Sequence, residues 1–133
     1  MSLREDDTEA TTRNANLSMF CKQILKADKS IRFAGIANNL GSLIATEYRE
    51  GLVPLLTKQQ TSQYAIEAVL RAAIREEFES NIGKLEYSIG KYEKLIRATV
   101  PIMIARTRNF ICYYRLISIQ MPKLLLIKRS YHL

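Results

Sequence analysis

Tryptophan is absent from this 133-residue chain, histidine occurs once, and no acidic residue follows Glu93. The single imidazole, His132, stands next to the last residue and supports neither a Ser-His-Asp triad nor a multi-histidine metal site. Cysteine is limited to Cys21 and Cys112, far apart and in no CxxC pair, which excludes a disulfide framework. Both read as small apolar residues of a reducing compartment. Five glycines and three prolines argue against a loop-rich or fibrous chain. No GxxxxGK[ST] or GxGxxG is present. Glu76 and Glu77 are adjacent and point about 100° apart on a helix, a poor pair for acid–base work. These gaps point away from an enzyme, and neither cofactor nor metal is expected. Residues 110–127 are interrupted by Arg115 and Lys123, so no run reaches the about 18 apolar residues of a membrane span. The polar start is unlike a secretory signal, and a cytoplasmic location is expected.

What is present is ordinary in amount and uneven in placement. Hydrophobic residues make up 47% and charged residues 25%, which suits one globular domain with a modest core. Residues 1–93 nearly balance, with 12 basic and 13 acidic side chains, whereas residues 94–133 hold eight Lys and Arg and no acid. The formal charge of +7 therefore comes from the C-terminal part.

Residues 1–15 are polar and are expected to be disordered. Asn16 suits the cap of a first helix, along which Leu17, Phe20, Cys21, Ile24 and Leu25 fit one apolar stripe. Residues 31–37 and 42–48 are short apolar runs around Asn38-Asn39-Leu40-Gly41 and predict a β-hairpin, with Gly35 marking a bulge or a close approach. Residues 52–56 form an apolar connector, suited to covering a core edge or meeting a partner. Leu85, Tyr87 and Ile89 alternate with polar residues, the pattern of a half-buried strand, and residues 90–93 read as the turn after it. Residues 95–102 form the next strand, with Ile96, Ala98, Val100 and Ile102 on one face. Residues 109–119 form a third, ended by Pro122. Residues 121–133 are a basic, apolar tail, read as a terminal helix or as unstructured chain.

The longest helix lies in the middle. Thr57 and Gln60 match a capping box, which starts it at Lys58. Ile66, Val69, Leu70, Ala73, Ile74 and Phe78 form the stripe expected to face the core. Glu67, Arg71, Arg75 and Glu79 form an i, i+4 row on a solvated face. Glu77 projects into the apolar stripe and is expected to bend out to water, because burying an unpaired charge is costly. Asn81 and Gly83 suit the exit.

The resulting order, α-β-β-α-β-β-β-(α), predicts an α+β domain over residues 16–120, with one antiparallel sheet of about five strands and helices on one side. The first helix LSMFCKQILK, the hairpin FAGIANNLGSLIATEY and the central helix QYAIEAVLRAAIREEF resemble the roadblock/dynein light chain superfamily and its longin- and profilin-like relatives. The chain also resembles a group of uncharacterised small archaeal proteins. The roadblock resemblance implies an α/β/α sandwich and a protein-interaction or scaffold module acting as a homodimer or heterodimer, with partners such as small GTPases. It implies sheets that continue across a two-fold axis and long helices that pair. Tyr64, Arg71 and Arg75 are the helix residues expected near the partner.

Two other readings remain open. Arg106, Arg108, Arg115, Lys123, Lys128 and Arg129 interleave with Phe110, Tyr113, Tyr114 and Tyr131, a mixture suited to phosphate contacts and base stacking, so residues 94–133 suggest a nucleic-acid interface. The competing account is a buried strand with cations at its margins. A PAS-like sensor of small ligands also mixes short helices with a five-stranded sheet, and requires an apolar pocket between sheet and helix.

Overall fold

The computed structural model describes residues 5–116. The first helix, α1, runs from Glu5 to Ala27 and is followed by strands β1 (Ile31–Ala37) and β2 (Leu43–Tyr48). The long helix α2 (Lys58–Glu76) and the single turn α3 (Glu79–Ile82) precede β3 (Ser88–Lys91), β4 (Leu95–Ile104) and β5 (Thr107–Leu116). The strands form one antiparallel sheet in the order β2-β1-β5-β4-β3. This α+β architecture matches the expected element order, and Lys123, Lys128, Arg129, His132 and the rest of the tail lie outside the described residues.

Three expectations need correction. Residues 5–15, expected to be disordered, are helical. They contain no glycine or proline and begin with acidic residue types, which suit a helix N-terminus. The helices pack on both faces of the sheet rather than on one. Cys21 and Leu25 of α1 pack with Ala34, Ile36, Ile44, Ile102 and Tyr113 on one side. Ala65, Val69 and Ala72 of α2 pack with Ala37, Phe110 and Cys112 on the other. Successive strand side chains point to opposite faces, so the apolar runs of β1 and β5 supply both layers. Finally, β3 is shorter than expected and includes Gly90 and Lys91. The turn falls at its end, where the Tyr92 N–H donates to the Leu95 carbonyl at 2.8 Å.

The capping box of α2 is present: Gln60 N–H donates to Thr57 Oγ1 at 3.1 Å, and Thr57 N–H donates to Gln60 Oε1 at 2.9 Å. The C-terminal carbonyls of α1 are held by Arg49, which donates to Leu25 and, at 2.9 Å, to Asp28. Cationic donors there satisfy carbonyls that have no partner within the helix. Gly41 closes the β1–β2 turn with φ +86°, and a Cβ at this position would lie 2.8 Å from Cα of Ile66. The hairpin thus rests directly on the backbone of α2. No helix among the described residues is long and apolar enough to cross a membrane.

Candidate functional site

The core-facing side of α2 consists of Thr61, Ala65, Ala68, Val69 and Ala72. Of the stripe expected in the core, only Val69 is buried. Ile66, Leu70, Ile74 and Phe78 are exposed, by 47%, 59%, 62% and 55%. The physical reason is close approach. Three alanines let the helix lie low on a sheet face whose own side chains, among them Phe33, Phe110 and Tyr114, are large. A helix with a small apolar face and a large apolar face buries the small one here. Glu77 is exposed and lies on the outward face, so its place in the stripe needs no special account. At the edge of the sheet, β3 pairs among the described residues with β4 alone, and Ile89 on it is exposed.

The flank of α2 that overhangs β4 and β3 is different. Tyr64, Ala68, Arg71 and Arg75 follow one another at i, i+4, i+7 and i+11, which places them along one side of the helix. Opposite them, Ser88 and Gly90 on β3 pair with Thr99 and Arg97 on β4. Between the two lies a cleft of about 140 Å³, lined by Arg71, Arg75 and Arg97 together with Ser88, Tyr92 and Thr99. Ala68 and Gly90 leave it open by having little or no side chain. Arg75 donates to Ser88 Oγ at 3.1 Å. Arg97 is only 7% exposed. Its guanidinium carbon lies 3.1 Å from the Tyr64 ring centre, and Nη2 is 3.4 Å from the Tyr64 carbonyl oxygen. Its Nε has no hydrogen-bond partner among the described residues. Among the described residues none of the three arginines has an ion pair. In the i, i+4 row, Glu67 accepts from Gln63 at 3.3 Å, and no Glu67–Arg71 ion pair is present among the described residues. Burial raises the Tyr64 phenol, whereas hydrogen bonding from Tyr64 and then from Arg97 pulls Tyr92 below its usual value.

Of the residues expected near a partner, Arg71 and Arg75 reach the surface of this flank and Tyr64 is drawn inward over Arg97. Arg97 and Tyr92 do not stand out in the sequence. A lone arginine in the apolar run LIRATVPI is the available signal.

Among the described residues, Arg106, Arg108 and Arg115 do not converge. Arg108 is paired with Glu76 and, at 3.1 Å, with Glu79, while Arg115 lies 3.5 Å from Asp28. Arg106 sits alone in the β4–β5 turn with φ 65°. Phe110 and Tyr114 are buried, and burial pushes the Tyr114 phenol up to about 12. Bases cannot stack on buried rings, and Tyr113 is half-buried against the core on the α1 side, so the described part of residues 94–133 does not favour the nucleic-acid reading. The acids that neutralise this strand come from α2, α3 and the α1–β1 turn, remote in sequence. The apolar pocket at the 52–56 connector, bounded by Phe33 and Tyr114, holds about 20 Å³. That is room for about one water, against the several hundred Å³ a ligand pocket needs. A larger depression of about 530 Å³ on the same connector is lined by Tyr48 and residues 54–58 and by none of the core rings, so it is not a pocket between sheet and helix, and neither favours a PAS-like sensor. Cys21 and Cys112 are free and buried, with both thiols pushed up to about 11 by that burial.

No family profile matches the sequence, and no curated protein matches it. Solved structures do match. The gliding protein MglB from Thermus thermophilus superposes with a TM-score of 0.62 at 11% identity, covering 92% of this chain and 86% of that one. A structure described as MglB with tetrameric arrangement gives 0.63 at 11% identity, over 91% of this chain and 83% of that one. The Roadblock/LC7 domain from Streptomyces avermitilis gives 0.59 at 10% identity, over 86% and 96%. The fold of this chain is roadblock-like.

Proposed function

We propose that this chain, with its roadblock-like fold, is a non-enzymatic protein-interaction module that acts as a dimer of identical copies. The observation that supports it is the outward row Ile66, Leu70 and Ile74 on α2, continued by Phe78 just beyond its end. Half-exposed large apolar side chains repeated on successive turns of one helix are a surface waiting for cover. A second copy is the simplest cover, because a two-fold axis along the row brings the same surface against itself. β3 is the edge strand among the described residues, and an edge strand offers backbone groups to the same partner. Arg71 and Arg75 then stand at the margin of the interface, with Tyr64 beneath it. One of the similar structures is described as MglB in a tetrameric arrangement, which agrees with self-association. The two buried, unpaired cysteines suit a reducing compartment such as the cytoplasm.

Sedimentation equilibrium at two protein concentrations tests this reading. The expected species is a dimer, and Leu70→Glu with Ile74→Glu is expected to weaken it at least tenfold, about 1.4 kcal/mol, with the circular dichroism unchanged. A strict monomer at high concentration removes the proposal.

A further inference from the structure

We propose that the cleft between α2 and the β3–β4 edge is a binding site for a phosphate-type oxyanion, either inorganic phosphate or the phosphate of a small soluble phosphomonoester. Three guanidinium groups line it, and no carboxylate does. Arginines gathered without acids repel one another, and the arrangement is relieved when a multivalent anion enters. Arg97 carries the argument furthest. A charged residue this buried is normally paired, because desolvating a lone cation costs several kcal/mol even after relaxation. Here the compensation comes from neutral groups, namely the Tyr64 ring, the more distant Tyr114 ring, the Tyr92 phenol and one long hydrogen bond to a carbonyl; among the described residues no carboxylate pairs with it and Nε is left without an acceptor.

The remaining lining suits the same ligand. Ser88 and Thr99 hydroxyls and the Tyr92 phenol add donors beside the guanidiniums. Arginine forks give parallel hydrogen bonds to phosphate oxygens, and three forks match a dianion with several acceptors better than a single carboxylate. The cleft's 140 Å³ is several times what one water requires. Its open mouth, between the exposed Arg71 and Arg75, admits a substituent on the phosphate.

Isothermal titration calorimetry of the full chain with inorganic phosphate tests the site, with chloride and acetate at matched ionic strength as controls. Saturable binding of one phosphate per chain is expected, with a melting temperature that rises with phosphate and not with the controls. Arg71→Gln with Arg75→Gln lies at the surface and leaves the core intact; it is expected to weaken binding at least tenfold. Arg97→Met is expected to abolish binding. A sugar phosphate that binds more tightly than inorganic phosphate identifies the phosphomonoester as the preferred source; equal affinity identifies the free ion. A Leu70→Ser, Ile74→Ser variant, which weakens the dimer without placing a carboxylate beside Arg71 and Arg75, should bind phosphate as the parent does, so this site and the dimer stand or fall separately. Equal effects of phosphate and chloride, or unchanged binding in the arginine variants, overturn the proposal. So does a response confined to phosphopeptides or anionic vesicles.

Discussion

Arg97 of β4 is stacked cation on ring with Tyr64 of α2, its guanidinium carbon 3.1 Å from the ring centre, and among the described residues no carboxylate pairs with it. A desolvated cation–π contact is worth about 2 kcal/mol. That falls short of the cost of burying a guanidinium, so the charge itself is held at a loss. In phosphate-free buffer, Arg97→Met is expected to leave stability within about 1 kcal/mol of the parent, or to raise it. Urea denaturation measures the difference. A loss of more than about 3 kcal/mol would mean that the guanidinium makes net favourable contacts of the kind only a satisfied buried ion makes.

Gly41 meets α2 through its backbone. With φ at +86° and Ile66 Cα 2.8 Å from where a Cβ would stand, alanine is both strained and overpacked. Gly41→Ala is expected to cost about 2–4 kcal/mol. The urea midpoint should fall with the slope of the transition unchanged. Gly51, also at positive φ but with open space around it, is the control: the same substitution there carries the strain without the clash.

Acid stability follows from two carboxylates. Asp28 accepts from the Ser30 N–H at 2.8 Å and from its hydroxyl at 2.7 Å, which holds its pKa below the ordinary value, with Arg115 adding to the effect. Glu79 is held down first by the Leu85 N–H and then by Arg108. A carboxyl whose pKa is depressed in the folded state stabilises the fold above its unfolded pKa, about 3.9 for Asp and about 4.3 for Glu. That contribution is lost as pH falls through the lower folded values. The melting temperature should therefore be level through neutral pH and decline below those values. Asp28→Asn with Glu79→Gln should melt lower at neutral pH and show a shallower decline on acidification. An unchanged acid limb in the double variant would assign the decline to other groups.

Much of the fold was legible in local chemistry. The capping box at Thr57 and Gln60 placed the start of α2 at the observed residue, because its hydrogen bonds lie within one turn of chain. The hairpin at residues 38–41 was readable because Asn38 Oδ1 accepts from the backbone of Leu40 and Ser42, each at 3.0 Å, and only glycine tolerates the geometry at Gly41. The β4–β5 turn was not readable. Ala105 and Arg106 adopt positive φ there without a glycine or asparagine to announce it. The long antiparallel pairing of their strands imposes that conformation from outside.

The outer helix face and the arginine cleft show the same division. Periodicity identified the large apolar row of α2 but assigned it to the core, because hydrophobicity scales weigh leucine and isoleucine above alanine. Which face a helix buries depends on the surface it meets, and β1 and β5 present large rings that only small residues can approach closely. Local sequence determined where α2 begins, where the first hairpin turns and that one sheet forms. Only the tertiary structure decided that β5 returns beside β1, that α2 turns its alanines inward and its isoleucines outward, and that Arg97 comes to lie beneath Tyr64 beside Arg71 and Arg75. Those outcomes depend on contacts between residues far apart in the chain, which no local pattern encodes.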